Sequence, residues 1–599
     1  MNPLKLRLPI PASVDNTQTV PSPADIRGWL DTLPSHEPKN CLIQVAALVH
    51  RYNLYPMPSS QRFEAMQVLQ PWVMRLLPGL QQKYHDQSLP LTPKLQALAD
   101  EVFQLLDHMS QGYNQVIDDA VSDAEHDDLS PTLFQLALRQ AIEQAGLLML
   151  EAYAQYRSEP AGLWGELHRL YALAERNGLH NMALDASDAE GQPLTTIQYT
   201  YLRIVLLGLA QPYRLLAGQA TILYKLLAKW TIGCRMMEKR DTLAEPGDCV
   251  VDLAGSRAPE MATSQTRFRP ADGRFLDISS LRRQLAEISR RQVDNAQQTL
   301  AERMHQDLLI RLCDVWQGRG ERRSERHPDG SETVMMGIGL GAAHHQISGE
   351  IEFNPEKTEN EIHRPRKQAE DLSLLPKHEE ERLFQEPGTR TREGLEATRV
   401  SRFATHGDVW DAVHDTQLHA RVLRESAMAG YAIEPWLRIN HSTGGVALRR
   451  MDDNRSQARV GVLTAWRLEN ELNLWHVGSV RWMQINRQGQ LELGIRSLGS
   501  RMAAVAVRAI GGTGSGGEYF RSLLIDLEAV DGKPAKGLLV PVSIYDTDTQ
   551  LVLNLTTELK YVRLTRLIET TSSYSLFAFS LIEMPPQEKA RVQSLPDAD

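Results

Sequence analysis

The stretch GERRSERHPDGSETVMMGI, residues 320–338, decides the architecture, because the chain changes its period inside it. Five charges occupy the six positions from Glu321 to Arg326, and His327-Pro328-Asp329-Gly330 then breaks the run. Before it, SSLRRQLAEISRRQVDNAQQTLAERMHQDLLIRLCDVWQ reads as a long helix over about 279–316, with Ser279 or Ser280 as its cap. After Glu332 the pattern becomes that of strands. Taken alone, the stretch is a charged turn.

Working upstream, residues 23–240 read as helix after helix. In PKNCLIQVAALVHRYN the apolar Cys41, Leu42, Val45, Ala46, Leu48 and Val49 recur at helical spacing. TPKLQALADEVFQLLDHMSQGY repeats the pattern and opens on Thr92-Pro93, a cap followed by proline at the first helical position. Ser130-Pro131 opens the next helix in the same way. LWGELHRLYALAER has the aromatic and small-residue pattern of a helical hairpin, but no fixed repeat period can be laid over the region. An all-helical scaffold, solenoid-like in character, is expected, with residues 1–22 as a flexible N-terminus. Residues 241–275 change to short apolar runs separated by Gly and Pro, so 241–316 is read as a connecting segment plus the long helix.

Bulk composition bounds the function. With 599 residues, 42% hydrophobic, 23% charged and a net charge of −10, the chain has the make-up of a soluble multidomain protein. The negative balance argues against a general role on DNA or RNA, yet allows a small anion held by clustered arginines. Cys41, Cys234, Cys249 and Cys313 lie far apart with no metal-ligand spacing, so buried free thiols are expected, with neither a zinc site nor a disulfide framework. The first twenty residues have no apolar core of a signal peptide. The greasiest run, Ile204–Ala210, falls short of the roughly 18 residues of a spanning helix. The cytoplasm is the expected compartment.

Downstream, ETVMMGIGLGAAHHQISGEIEF is β-like and interrupted by glycine. A charged, proline-containing segment follows at about 354–430, read as an insertion or disordered loop because it holds too little apolar surface to offset its ordering entropy. From about 431 come many short strands with turn signals between them, the pattern of a barrel or sandwich. The fold class expected is multidomain α + β: an all-α, helical-repeat-like domain, an antiparallel β-barrel at 317–505 split by the insertion, a β-rich extension at 506–590, and a tail at 591–599.

Two motifs stand out in the β half. Arg322-Arg323-Ser324-Glu325-Arg326 fits RxxxR at a helix exit, and Asn440-His441-Ser442-Thr443-Gly444-Gly445 fits [DN]xSxxG between strands. In this combination, with LWHVGSVRWM and LELGIRSL behind it, the sequence resembles the PilZ family, small β-barrels that bind the bacterial messenger cyclic di-GMP. The resemblance covers roughly residues 316–505. It implies that Arg322 and Arg326 clamp phosphate or guanine, and that Asn440, Ser442 and Gly445 form the base-side wall. The chemistry suits these residue types. A guanidinium forks onto phosphate oxygens or the Hoogsteen edge of guanine. Asn and Ser offer amide and hydroxyl groups to a base edge, and glycine lets a ligand approach the backbone. The main departure is spacing, since Arg322 and Asn440 stand 118 positions apart, which requires the insertion to loop out of the barrel. Arg319, Arg323 and His441 are additional candidates. Arg421 and Arg424 sit nearer the second motif but lack the spacing.

Other features carry less. GGTGSGG (511–517) has no following Lys-Ser/Thr and fails the P-loop pattern, so it is read as a linker between barrel and tail. His344 and His345 are placed on a strand, where neighbours point to opposite faces. The acidic run at 122–131 lacks the calcium-loop order of ligands and leads into a helix cap. No arrangement of catalytic residues is readable from spacing. The expectation is therefore a messenger receptor and not an enzyme, without a cofactor, whose helical domain meets a protein partner. Two other readings stay open: a degenerate barrel acting as an adaptor in pilus or flagellar regulation, and an enzyme within the helical half regulated by the barrel.

Overall fold

A computed structural model describes residues 4–9, 20–122, 129–183, 196–237, 247–263, 273–291, 300–317, 326–328, 330, 332–363, 431–452, 454–471, 474–499, 501–510, 517–530, 533–542 and 544–593. The chain divides into two compact units. The first holds Met1–Val293, Leu308–Glu321 and Gln484–Gly489, and the second holds Asp294–Asp307, Arg322–Met483 and Gln490–Asp599.

The first unit is built mainly of helices: α1 (Pro23–Asp31), α2 (Pro38–Leu54), α3 (Ser59–Gln81), α4 (Pro93–Ser122), α5 (Pro131–Ala154), α6 (Leu163–Arg176), α7 (Ile197–Leu209) and α8 (Gln219–Trp230). Their starts follow local rules. Ser22 and Asp25 form a reciprocal capping box, and the Ser130 hydroxyl accepts from the Leu133 amide at 3.3 Å. Prolines 23, 93 and 131 occupy the first turn, where no backbone donor is needed. Apolar faces meet between α4 and α5, where Val102, Leu105, Met109, Leu138, Ala141 and Ile142 are buried.

A small antiparallel sheet follows, with strands β1 (Arg235–Met237), β2 (Cys249–Asp252), β3 (Glu260–Met261) and β4 (Gly273–Asp277) in the order β1-β4-β2-β3. Helix α9 (Ser279–Arg291) is entered through the Asp277 carboxylate, which accepts from the Ser279 amide at 3.0 Å. A hydrogen bond from the Ser279 hydroxyl at 2.6 Å, and then the one from its amide, hold Asp277 below its ordinary pKa. Helix α10 (Leu300–Trp316) completes the stretch read as one long helix, and 292–299 between the two lie outside the described residues. Cys41, Cys234 and Cys249 are buried free thiols, as expected, while Cys313 is half-buried.

Residues 4–9, expected to be flexible, are instead docked on helices of this unit. The Arg7 amide and its Nε both donate to Glu166, at 2.9 and 3.0 Å, and Asn114 donates to the Arg7 carbonyl at 3.0 Å. Glu166 has no solvent exposure, so a cation has to lie beside it. An alternating LKLRLP segment looks solvent-tolerant by composition, and only the buried carboxylate reveals its place.

The second unit contains two barrels. Strands β5 (His327–Pro328), β6 (Thr333–Ile338), β7 (Ile433–Ser442), β8 (Gly445–Arg450), β9 (Leu463–Leu468), β10 (His476–Ile485) and β11 (Leu491–Gly499) form one sheet in the order β5-β7-β6-β9-β10-β11-β8. A further β7–β8 pairing closes it. Six strands thus make a barrel, with β5 extending β6 along the same edge of β7. Fully buried Trp436, Val334, Met336, Leu448, Val480 and Leu493 belong to these strands. Strands β12 (Met502–Ala509), β13 (Phe520–Val530), β14 (Lys533–Pro541), β15 (Gln550–Asn554), β16 (Leu559–Thr570) and β17 (Tyr574–Ile582) close a second barrel. A shared apolar core of Leu463, Ala465, Val477, Leu523, Leu539, Tyr574 and Leu576 joins the two barrels.

Three expectations change here. His344 and His345 lie on a helix, α11 (Leu340–Ile347), because Gly339 at φ +93° ends the strand and Leu340 and Ala343 then pack into the shared core. The segment read as an insertion from 354 begins with an ordered helix, α12 (Pro355–His363), while 364–430 lie outside the described residues. The glycine-rich 511–517 joins β12 to β13, antiparallel neighbours in the second barrel, and so is a connection within a barrel, not a linker to a tail; its first six residues lie outside the described ones.

Helix α12 and a last helix, α13 (Pro586–Gln593), pack on the outer side of the second barrel around buried Arg508, which alternates with the interior Val507. Buried Arg508 of β12 donates to Glu359 of α12 at 2.7 Å and to Glu588 of α13 at 3.2 Å, and the Tyr519 hydroxyl donates to Glu359 at 3.0 Å. Burial alone would lower the pKa of Arg508, but the hydrogen bonds to Glu588 and Glu359 outweigh it and raise it.

Candidate functional site

The NHSTGG motif closes the β7–β8 hairpin. Asn440, His441 and Ser442 end β7, Thr443-Gly444 make a two-residue turn, and Gly445 opens β8. Ser442 pairs with Gly445, His441 with Val446 and Asn440 with Ala447. The Ser442 hydroxyl donates to the Gly445 carbonyl at 3.4 Å, and the Ser497 amide donates to the Gly444 carbonyl at 3.0 Å. Glycine at 445 is required on two counts. Its φ is +150°, and a Cβ there would lie 1.9 Å from the Ile495 carbonyl oxygen.

Strand register then brings distant residues into rows. His327 pairs with His441 and Pro328 with Asn440, so continuing the ladder by one residue sets Arg326 opposite Ser442. Gly445 in turn pairs with Arg496 of β11. One lateral row therefore runs Arg326–Ser442–Gly445–Arg496 across four strands, roughly 15 Å at the usual interstrand spacing of about 4.8 Å. Residues paired across a ladder share a face. The neighbouring row, through His441, Val446 and Ile495, turns to the opposite face, where Val446 and Ile495 are buried. The Arg326 row accordingly faces outward, and Arg326 is exposed.

The next outward row contains Asn440, Ala447 and Gly494. The indole of Trp482 lies over Gly494, where a Cβ would meet its Nε1 at 1.9 Å. Asn440, Ser442, Gly445 and Arg326 are thus together on one face of the barrel. His441 alternates away from them, with its ring centroid 5.5 Å from that of His327. Arg322, the first arginine of RxxxR, and the alternatives Arg319 and Arg323 lie outside the described residues, as do Arg421 and Arg424. An ion pair between Arg438 and Glu332, with the Arg438 amide donating to the Glu332 carbonyl at 2.9 Å, ties the start of β6 to β7.

Sequence reasoning passed over two further cations on this barrel. Arg496 forms an ion pair with Glu569 of β16, and Arg481 of β10 donates to the same carboxylate at 3.0 Å. The Tyr574 hydroxyl also donates to Glu569, at 3.2 Å. Burial first, and then the Glu569 charge, keep that hydroxyl above its ordinary pKa, so it stays protonated and donates. A signal was present, since each arginine interrupts an otherwise apolar strand (VGSVRWM and LELGIRSL). Among the described residues, no group of His, Cys, Asp or Glu is arranged to hold a metal ion, and no helix is long and apolar enough to cross a membrane.

Three family models match the chain in succession. Residues 24–239 match the N-terminal domain of the cyclic-di-GMP receptor FimW, residues 249–503 its middle PilZ domain, and residues 505–582 the FimW C-terminal β-barrel domain. The chain is 23% identical to the cyclic-di-GMP receptor FimW of Pseudomonas aeruginosa over 597 residues, covering 97% of this chain and 94% of that protein. No solved structure matches. A helical region, a PilZ barrel carrying both motifs and a second closed barrel occur here in the order of those three models, and the chain belongs to the FimW family.

Proposed function

We propose that this protein is a receptor for cyclic di-GMP, with its site on the outward face of the first barrel. The observation that carries the reading is the His327–His441 pair of the β5–β7 ladder, which brings the adjoining Arg326 to the strand end where Ser442 lies, although a long segment separates them in sequence. Family membership supports the same ligand, because the relative's name states that it is a cyclic-di-GMP receptor. Arg326 and Arg322 would fork onto phosphate oxygens or guanine Hoogsteen edges, with charge-assisted hydrogen bonds supplying most of the affinity. Ser442 and Asn440 offer a hydroxyl and an amide to a base edge, while Gly445 keeps the row between them open.

The receptor reading extends to a cytoplasmic protein that conveys messenger binding to a protein partner through its helical domain. Isothermal titration with cyclic di-GMP tests the core of it. The wild-type chain is expected to bind, and Arg322→Ala combined with Arg326→Ala to lose binding by at least about a hundredfold, the loss of two charge-assisted contacts at tenfold each. A double variant that binds like the wild type overturns the site. A wild type that does not bind overturns the receptor reading and leaves the adaptor in its place. A partner that crosslinks to the ligand-bound full chain only outside residues 23–240 would count against coupling through that domain.

A further inference from the structure

Arg496 closes the same lateral row that Arg326 opens, and both extend from the outward face on which Ser442 and Gly445 lie. Two such arginines, roughly 15 Å apart at their backbones and long enough to reach toward each other, bracket a strip in which Gly445 has no side chain. Arg496 is 41% exposed and engages one oxygen of Glu569, while Arg481 engages the other. Glu569 itself is only 13% exposed and stands at an irregularity of β16, where the pairing with β17 shifts between Leu567 and Glu569. That bulge is what turns the carboxylate of the second barrel onto two arginines of the first.

Resting on the receptor reading above, we propose that Arg496 and Arg481 are additional phosphate-binding residues of the site and that Glu569 competes with the ligand for them. A carboxylate and a phosphate present the same planar pair of acceptors to a guanidinium, so one can replace the other on the same donors. Messenger binding then breaks a contact between the two barrels and shifts the second barrel's β16–β17 hairpin to a freer set of states. The second barrel becomes the part of the molecule that reads occupancy of the first. No covalent step is involved.

Glu569→Gln tests this. The amide oxygen still accepts from Tyr574, but the charge that holds Arg496 and Arg481 is gone, so cyclic di-GMP is expected to bind about tenfold more tightly by calorimetry. Arg496→Ala is expected to weaken binding about tenfold, and Arg326→Ala to weaken it in the Glu569→Gln background as well. In the wild-type chain, amide hydrogen exchange around Ile568–Thr570 is expected to rise when the messenger saturates the site. Unchanged or weaker affinity in Glu569→Gln, with its unfolding midpoint intact, overturns the competition while leaving the receptor reading standing. Should that variant unfold, flat exchange at 568–570 in the wild type overturns it equally. Failure of the wild type to bind overturns the receptor reading instead.

Discussion

His327 faces His441 across the β5–β7 ladder, their ring centroids 5.5 Å apart, at the point where the arginine arm meets the barrel. This two-residue pairing is what converts separated motifs into one face. Because neighbours alternate, the pairing that turns His441 away presents Arg326 and Ser442 together.

Ser442→Ala removes the hydroxyl from the centre of the row and leaves the hairpin register to its backbone bonds. Cyclic di-GMP affinity is expected to fall about tenfold by calorimetry, in keeping with one lost hydrogen bond to a charged or polar ligand edge. The denaturation midpoint is expected to move little, since that side chain makes only a 3.4 Å contact to Gly445.

Gly445→Ala acts on the fold. The new Cβ would press on the Ile495 carbonyl, a backbone atom that cannot move aside without breaking the β8–β11 ladder. Destabilisation of roughly 1–3 kcal/mol or more is expected from urea unfolding of the full chain, together with lost ligand binding.

Arg508→Met leaves the buried carboxylates Glu359 and Glu588 to Arg591, which is 40% exposed, and is expected to cost roughly 1–3 kcal/mol. Burial alone would raise the pKa of Glu359, but its hydrogen bond and charge interaction with Arg508 prevail and hold it below 4.5. A carboxyl depressed in the folded state stabilises fully above its unfolded pKa, and that contribution is lost as the pH falls through the folded value. Amide exchange in α12, which carries Glu359, is therefore expected to rise below about pH 4.5 in the wild type.

His344 on α11 is pushed down to about 3 by burial and then by the Arg521 charge. It stays neutral in the fold, while the unfolded chain takes up a proton below the ordinary 6.5. Its contribution is thus complete above pH 6.5 and declines as the pH drops toward 3, at up to about 1.4 kcal/mol per pH unit. Urea midpoints measured at pH 7 and pH 5 are expected to differ less in His344→Gln than in the wild type.

Arg7→Ala removes the cation beside fully buried Glu166 and is expected to destabilise the first unit by roughly 3–5 kcal/mol. Arg7→Ala combined with Glu166→Gln is expected to recover part of the loss in thermal unfolding, because no uncompensated charge is then buried.

Much was legible in the chain because its rules act over a few residues. Thr92-Pro93 and Ser130-Pro131 mark helix starts by a cap residue and a missing donor, and the change of period after Glu332 separates the helical half from the barrels. NHSTGG marks a tight hairpin by itself, since Gly445 adopts a backbone conformation that other residues resist. What the sequence determined ends at that range. Which residues stand beside Ser442 was decided by strand register across β5, β7, β8 and β11, and register between distant strands leaves no mark in local periodicity. Tertiary packing also turned His344 onto a helix, anchored Arg7 on Glu166, and set Glu569 of the second barrel on Arg481 and Arg496 of the first. In the last two a buried or paired charge found its partner through the fold, and a charge in sequence carries no information about the carboxylate it will meet.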